Sequence, residues 1–269
     1  MGGSEFQERV PTGVAGLDPM LGGGLLRGSS TVVKGPPGTG KTCIGLEFIS
    51  TGAQQYDEPG AVITFEHFPR KLHRDAAAIG IPLDELESQG KVRTIFSSPD
   101  IFLSQVRKDG GLLDDLVREM GVRRILIDSI SHFERLARDP FEMREIAYSL
   151  VNGMLRHGLT VMVTQEEAGL IGTSDTAEFG ISYLVDTVIQ LSYVEMDSSV
   201  SRALLILKQR ASNHDKAIRQ FRVTSQGVRV EKPFEDREGV LSGMPMRREV
   251  EAFMEAFGKK ETGKRKGEG

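Results

Sequence analysis

The stretch Ser30-Thr-Val-Val-Lys-Gly-Pro-Pro-Gly-Thr-Gly-Lys-Thr42 carries the clearest structural information in this sequence. It begins with a short β-prone run and passes into a loop of the pattern G-x-x-x-x-G-K-[ST]. Residues 41–54 then show the apolar spacing of a helix. A strand, a glycine-rich loop and a helix in this order are typical of a phosphate-binding loop. We therefore predict that this stretch binds the phosphates of a nucleoside triphosphate.

Each residue type in the loop has a chemical reason to be there. Gly35, Gly38 and Gly40 permit backbone angles that turn successive N–H groups onto phosphate oxygens, and the following helix adds its positive dipole end. Lys41 is expected to contact the β and γ phosphates, and the Thr42 hydroxyl is expected to bind Mg²⁺. The predicted nucleotide-binding set is Gly35, Pro36, Pro37, Gly38, Thr39, Gly40, Lys41, Thr42 and Cys43.

Beyond the loop, β-prone runs and helical segments alternate up to about residue 183. The predicted strands are 30–34, 61–66, 92–97, 124–128 and 159–165, and the predicted helices are 41–54, 69–79, 99–120 and 141–157. Such alternation predicts a parallel sheet. Four short strands then follow at 186–193, 203–210, 218–224 and 228–231, which favours antiparallel pairing. The fold class is therefore α/β, with a mostly parallel central sheet, helices on both faces and antiparallel C-terminal strands.

The composition is that of an ordinary globular protein, with 39% hydrophobic and 27% charged residues in a chain of 269. A net charge of −4 gives no general electrostatic reason to bind nucleic acid or membranes. Cys43 is the single cysteine, which excludes an intramolecular disulfide and a cysteine-cluster metal site. No run approaches the ~18 apolar residues of a membrane helix, and residues 1–10 lack an apolar signal region. We therefore expect a cytoplasmic protein without membrane contact.

The expected organisation is one large domain with short ends. We place an N-terminal tail at 1–8, the α/β domain at 9–240, a helical region at 241–258 and a disordered basic tail at 259–269. The helix is predicted from the apolar spacing of Met246, Val250, Phe253 and Phe257.

Polar side chains stand at the ends of three predicted strands, where parallel strands open onto one crevice. Asp128 ends the strand RRILID and is expected to help bind Mg²⁺, although such a residue can also simply cap the next turn. Glu66 ends AVITFE and is the candidate to polarise the attacking water. Gln165 ends TVMVTQ and is expected to hydrogen-bond the γ-phosphate. Together with Lys41, these residues predict a magnesium-dependent site for nucleotide hydrolysis.

These motifs resemble the KaiC-like branch of the RecA/RadA superfamily of ATPases. The resemblance covers residues 9–230 through the strings VPTGVAGLDPMLGGGLLRGS, GPPGTGKT, VITFE, ILIDS, EFGISYLVDTVIQL and LKQRASNH. It implies a RecA-type fold, ATP hydrolysis and assembly into homo-oligomeric rings, commonly hexamers, with ATP between subunits. A K-x-R pair in that family reaches the phosphates of the neighbour, and here it corresponds to Lys208 and Arg210. From strand periodicity alone, the two cations share a face and a solvated edge strand is the favoured interpretation; the resemblance reverses that preference.

The sequence departs from this family in three places. Members often carry two adjacent glutamates where this chain has Glu66 and His67, which weakens the assignment of the catalytic base. The clock protein is a tandem duplication, and this chain has room for one copy, so clock function is not transferred. Ser182 matches the serine of an autophosphorylated Ser-Thr pair, but Tyr183 replaces the threonine. We hypothesise weak autophosphorylation at Ser182.

Three functions compete on these grounds. The leading one is a ring-forming ATPase whose nucleotide state controls an unknown protein partner. The second is a DNA-repair paralogue that binds single-stranded DNA, which is disfavoured because residues 166–182 carry four carboxylates and no Lys or Arg. The third is an ATP-gated scaffold with little turnover, suggested by the Glu66-His67 departure.

Overall fold

The computed structural model describes residues 8–167, 181–196, 199–234, 237–238 and 246–247. Its strands are β1 (Arg9–Val10), β2 (Leu25–Leu26), β3 (Ser30–Gly35), β4 (Gly60–Thr64), β5 (Val92–Phe96), β6 (Arg124–Asp128), β7 (Thr160–Glu166), β8 (Thr187–Met196), β9 (Ser199–Gln209), β10 (Arg219–Thr224), β11 (Gly227–Pro233), β12 (Arg237–Glu238) and β13 (Met246–Arg247). Its helices are α1 (Leu17–Met20), α2 (Lys41–Gln55), α3 (Pro69–Ala78), α4 (Leu83–Ser88), α5 (Pro99–Arg107), α6 (Leu112–Met120), a 3₁₀ helix (Ile130–Leu136) and α7 (Pro140–Leu155).

Nine of these strands form one sheet in the order β11-β10-β9-β8-β3-β7-β6-β4-β5. The pairs from β8 through β3, β7, β6 and β4 to β5 are parallel. The pairs from β8 through β9 and β10 to β11 are antiparallel. The predicted fold class is therefore confirmed, and β8 is the strand at which the sheet changes from one pattern to the other.

Both faces of the sheet are covered, because its central strands carry apolar side chains toward each side. On one face Val33, Val62 and Leu126 are buried in a cluster with Phe48 of α2. On the other face Val32, Ile63 and Ile127 are buried in a second cluster with residues of α5, α6 and α7. This double coverage explains why the parallel strands are nearly continuous apolar runs.

We call the two ends of the sheet the carboxyl end and the amino end. The carboxyl end is where β3, β4, β6 and β7 finish, and the amino end is where they begin. Because these four strands are parallel, the loops that follow them share the carboxyl end.

Most predicted elements differ from the observed ones by a few residues, and several need correction. The strand predicted over 61–66 ends at Thr64, so Glu66 lies two residues beyond it. The helix predicted over 99–120 is divided into α5 and α6. The short helix α4 and the 3₁₀ helix are additional elements, and so are α1 and the β1–β2 pair, which precede the first predicted strand.

The C-terminal prediction is only partly within the described residues. Met246 and Arg247, the first residues of the predicted helix, instead pair as β13 with β12, so the helix prediction is wrong for them. The rest of that helix and the basic tail lie outside the described residues. None of the described helices is both long and apolar enough to cross a membrane.

Candidate functional site

A pocket of about 350 Å³ opens at the carboxyl end of the sheet. Its walls come from the glycine-rich loop, the start of α2 and the ends of β4, β6 and β7. The lining residues are Pro37, Gly38, Gly40, Lys41, Thr42, Cys43, Glu66, His67, Asp128, Ser129 and Glu166. Six of the nine loop residues predicted to bind nucleotide therefore line the pocket, together with Glu66 and Asp128.

The loop backbone approaches its neighbours too closely for side chains at two glycines. A Cβ atom at Gly35 would lie 2.4 Å from the carbonyl oxygen of Leu191 in β8. Gly38 has a φ of 75° in the left-handed region, and a Cβ there would lie 2.8 Å from the Tyr193 hydroxyl. Thr39 is fully buried and donates its hydroxyl to the carbonyl of Pro36 at 2.8 Å, and this bond stabilises the loop conformation. Glycine at these two positions therefore preserves the backbone path of the loop, which we call the backbone cradle.

Lys41 is the buried cation of the pocket, with 7% of its surface exposed. Its ammonium group donates to the carbonyls of Gly35 and Pro36, each at 2.9 Å. Burial lowers the pKa of Lys41 from its ordinary value, while the negative charges of Glu166, Asp128, Glu167 and Glu66 oppose this shift. The pocket therefore holds one desolvated positive charge that is surrounded by carboxylates.

Thr42 and Asp128 meet at the floor of the pocket, as the sequence predicted. The Thr42 hydroxyl donates to one carboxylate oxygen of Asp128 at 3.0 Å, and the Thr164 hydroxyl of β7 donates to the other oxygen. A hydroxyl and a carboxylate are oxygen ligands of the kind that Mg²⁺ prefers. Within the described residues, no group of three or more His, Cys, Asp or Glu side chains could hold a metal. This donor set fits Mg²⁺, which usually takes one or two carboxylates and completes its shell with phosphates and water.

Glu66 lies at the rim of the pocket with 60% of its side chain exposed. Its carboxylate is 3.8 Å from Nε2 of His132, a residue of the 3₁₀ helix. His67, the residue in place of the family's second glutamate, also lines the pocket, and its Nδ1 lies 3.2 Å from Nζ of Lys71. The histidine that contacts Glu66 is therefore the distant His132 rather than its neighbour in sequence.

Further carboxylates surround the pocket on the β7 side. Glu167 is held by an ion pair with Lys34 at 3.0 Å and by the Gln190 amide at 2.6 Å. The pKa of Glu134 is raised by burial and by the charge of Glu166, with His132 acting in the opposite direction. This concentration of negative charge favours a cation or a cation-bound ligand in the pocket.

Gln165 is not among the residues that line the pocket. Thr164 points toward Asp128, and successive side chains of a strand point to opposite faces, so Gln165 points away from Asp128. It is 7% exposed and lies in register with Lys34 of β3. Its contact with a γ-phosphate stays a prediction.

Cys43 follows Thr42 and packs, partly buried, against the apolar cluster that includes Phe48 of α2. Burial raises the pKa of the Cys43 thiol, with the positive charge of Arg202 acting against this shift. A raised pKa leaves little thiolate at neutral pH.

Lys208 and Arg210 lie at the amino end of the sheet. Lys208 donates to the carbonyls of Ser182 at 2.9 Å and Val185 at 2.6 Å, while Arg210 donates to the carbonyl of Tyr183 at 3.0 Å. Both cations therefore turn toward the segment before β8. Burial and the charge of Arg210 lower the pKa of Lys208.

The strand register separates this pair from the glycine-rich loop of the same chain. The Arg210 amide bonds the Asp186 carbonyl, and the Asp186 amide bonds the carbonyl of Ser30 at the start of β3. Gly35 lies five positions further along β3, about 16 Å away at roughly 3.3 Å per residue. Lys208 and Arg210 are thus at the opposite end of the sheet from their own loop.

Among the residues near the pocket that escaped the sequence analysis are Tyr193, Arg202 and Thr164. Tyr193 donates its hydroxyl to the carbonyl of Pro37 at 3.2 Å, and Arg202 approaches the carbonyl of Gly38 at 3.4 Å. Thr164 is the third, through its bond to Asp128. Tyr193 and Arg202 face each other across β8 and β9, so only the strand register brings them to the loop. Thr164 could have been found from the sequence, because side chains alternate along a strand and Thr164 therefore points to the opposite face from Gln165.

The chain is similar to known proteins over most of its length. The family described as "ATPase: KaiC" matches residues 10–235. The circadian clock protein KaiC3 of Synechocystis sp. is 31% identical over 255 residues, and the circadian clock oscillator protein KaiC of Thermostichus vulcanus is 32% identical over 250 residues. These matches cover 94% and 90% of this chain but 50% and 46% of those proteins, so the chain spans about half the length of the curated relatives it matches.

A solved structure has the same fold. It is the crystal structure of a KaiC-like protein from the hyperthermophilic archaeon Pyrococcus horikoshii OT3, which superposes with a TM-score of 0.73 at 28% sequence identity. The match covers 84% of this chain and 100% of that one. The similarity therefore extends over the whole of a single KaiC-like domain.

Proposed function

Because this chain belongs to the KaiC family of ATPases, we propose that it binds ATP with Mg²⁺ in the pocket at the carboxyl end and hydrolyses it. The carrying observation is the convergence of Lys41, Thr42, Asp128 and Glu66 on one pocket beside a glycine-rich loop. We propose further that the chain forms a homo-oligomeric ring whose nucleotide state controls a protein partner.

Each residue has a separate part in the proposed reaction. The backbone cradle and Lys41 bind the phosphates and offset the negative charge that develops on them. Thr42 and Asp128 would hold Mg²⁺, which supplies further charge neutralisation. Glu66 accepts a proton from a water molecule as the water oxygen bonds to the γ-phosphorus. The bond between the γ-phosphorus and the bridging oxygen breaks, which releases ADP and inorganic phosphate.

Phosphate release by the purified chain tests this proposal. We expect Mg²⁺-dependent ATP turnover in the wild type and a drop of about 100-fold or more in Glu66→Gln, because a general base contributes 10²–10⁴-fold. Nucleotide binding should survive in Glu66→Gln. Equal background rates in both proteins, with binding retained, would instead support the scaffold function.

A neighbouring copy is proposed to complete the site with Lys208 and Arg210. The separation of these cations from their own loop supports this role, since one chain does not reach its own pocket with them. Two adjacent cations would stabilise charge on the γ-phosphate in the manner of arginine fingers.

Mixed assemblies test the contribution of the neighbour. Lys41→Ala and Arg210→Ala subunits should each be inactive alone, and mixing them should restore part of the turnover. Native mass spectrometry with and without Mg·ATP would establish that mixed rings form. Mixed rings without any restored activity would contradict the trans arrangement.

We also propose weak autophosphorylation at Ser182. The Ser182 carbonyl accepts a bond from Lys208, so this serine lies beside the cation proposed to reach a neighbour's nucleotide. A phosphoryl group would therefore have to come from that neighbour. Phosphopeptide mapping after incubation with Mg·ATP tests for this modification, and an unmodified Ser182 would contradict the proposed autophosphorylation.

A further inference from the structure

His132 contacts the proposed catalytic base although it belongs to a different part of the chain. Its Nε2 atom lies 3.8 Å from a carboxylate oxygen of Glu66, and 28% of its side chain is exposed. Among the described Lys, Arg and His side chains, His132 is the one that comes within 4.0 Å of the Glu66 carboxylate. His132 is not among the residues that line the pocket.

A buried aromatic cluster keeps the two residues near each other. Phe65 directly precedes Glu66, and Phe133 directly follows His132. The two rings pack edge to face with centroids 5.0 Å apart, and Phe102 packs against Phe65 at 5.7 Å. Because Phe133 is fully buried and Phe65 nearly so, the backbone positions of Glu66 and His132 are coupled by core packing.

Glu66 needs such a partner because its side chain is more than half exposed. An exposed carboxylate samples several rotamers, and only some of them present an oxygen to a water molecule in the pocket. The Nε2–H group of an imidazole that donates to one carboxylate oxygen would restrict these rotamers and leave the other oxygen free to accept a proton. Catalytic hydrogen bonds are often long without substrate and shorten in the Michaelis complex.

We propose that His132 is a positioning residue that orients Glu66 for ATP hydrolysis, an inference that rests on the proposed function of Glu66 as the general base. In this arrangement Nε2–H of His132 bonds to one oxygen of Glu66, and the proton from the attacking water goes to the other oxygen. His132 neither gains nor loses a proton in the step. The imidazole of His132 thus orients the Glu66 carboxylate, whereas His67, its neighbour in sequence, does not.

Steady-state ATP hydrolysis by three variants tests this role. His132→Ala should lower kcat by about tenfold and leave KM for ATP unchanged, because His132 does not line the pocket. His132→Gln should retain most of the activity, since its amide can still donate to Glu66. His157→Ala is the matched control, because His157 is 26% exposed and also lies 3.8 Å from a carboxylate, that of Asp114, away from the pocket.

A double-mutant cycle tests whether His132 acts through Glu66. In the Glu66→Gln background, the addition of His132→Ala should produce no further loss, because the group that it orients is already gone. If His132→Ala alone does not fold, His132→Asn replaces it, since the shorter side chain does not reach Glu66.

Two outcomes would overturn the inference while leaving the proposed function intact. One is an unchanged kcat in His132→Ala when Glu66→Gln is strongly impaired. The other is an equal loss from His132→Ala in both backgrounds, which would mean an effect independent of Glu66. A wild type without ATP turnover would instead contradict the proposed function itself.

Discussion

The two ends of the central sheet carry similar charged residues but use them differently. At the carboxyl end, Lys41 is surrounded by carboxylates that border an open pocket. At the amino end, the Arg124 side chain is 1% exposed, and it donates to Glu58 at 2.6 Å and to the carbonyls of Pro11 and Phe48. Glu58 also accepts from Arg27 at 2.6 Å.

This difference between the two ends separates residues expected to bind ligand from residues expected to stabilise the fold. Charges at the amino end are paired with protein groups, so their removal should mainly affect folding. Charges that line the pocket at the carboxyl end are proposed to bind Mg·ATP, so their removal should mainly affect turnover. Lys208 and Arg210 are the exception, because they lie at the amino end and are proposed to act at the carboxyl end of a neighbour.

The largest expected effect is at Lys41. Lys41→Ala should reduce ATP turnover by about a thousandfold or more, because it removes the buried positive charge beside the phosphates. The free energy of unfolding should change by less than about 1 kcal/mol, since the ammonium group is desolvated in the folded state. Turnover assays and urea denaturation measure the two quantities.

Lys34 provides the matched control for Lys41. It lies at the end of β3 and pairs with Glu167, outside the pocket lining. Lys34→Ala should remove an ion pair worth about 1 kcal/mol or less. If both lysine variants lost turnover to the same extent, the distinction between the pocket and its surroundings would be wrong.

The second largest effect is expected at Glu58, where substitution should reduce folding stability rather than ATP turnover. Glu58→Gln should lower the free energy of unfolding by about 3 kcal/mol, because it leaves the buried guanidinium of Arg124 without its carboxylate. The kcat of the folded protein should not change. Urea denaturation of Glu58→Gln and of Glu8→Gln makes the comparison, since Glu8 is the half-exposed partner of Arg27. Equal small losses in both variants would contradict the role of the buried pair.

The contribution of the Glu58–Arg124 ion pair to folding stability should also be visible in the pH dependence of the wild type. Burial tends to raise the pKa of Glu58, but Arg27 and Arg124 outweigh it and hold that pKa below the ordinary value of 4.5. The pair therefore stabilises the folded state above pH 4.5, and this contribution is lost as the pH falls through the lower folded-state pKa. The stability difference between wild type and Glu58→Gln should shrink in that window, as measured by denaturation at several pH values.

The smallest expected effect is at Thr164. Thr164→Val removes the hydroxyl that bonds Asp128, and it should raise the Mg²⁺ concentration for half-maximal turnover by about tenfold. Thr160→Val is the control on the same strand, because the Thr160 hydroxyl accepts from Gly28 at the amino end. Thr160→Val should affect stability and leave the Mg²⁺ requirement unchanged.

Local patterns were sufficient to predict most of the fold. Apolar runs predicted the strands β3 to β7 to within about two residues, because burial on both faces leaves a continuous hydrophobic signal. The 3₁₀ helix was missed because its three apolar residues, Ile130, Phe133 and Leu136, span only seven residues, too few to show an extended period. Because His132 belongs to this 3₁₀ helix, its position beside Glu66 was also missed.

The candidate site was predictable where its residues are contiguous or end predicted strands. Lys41, Thr42, Asp128 and Glu66 line one pocket. Gln165 does not line it, because alternation turns Thr164 rather than Gln165 toward Asp128. Tyr193 and Arg202 depended on the pairing of β8 with β9, which no local pattern reveals.

The sequence by itself determined the phosphate loop and the family, because a phosphate cradle needs glycines, a lysine and a hydroxyl at fixed spacing within a few residues. The tertiary structure alone decided which distant groups meet. The order β3-β7-β6-β4 brings the end of β4 and the 3₁₀ helix after β6 together, so His132 contacts Glu66. The antiparallel return of β9 places Lys208 and Arg210 at the opposite end of the sheet from their own loop, because a strand that reverses direction ends where its partner begins.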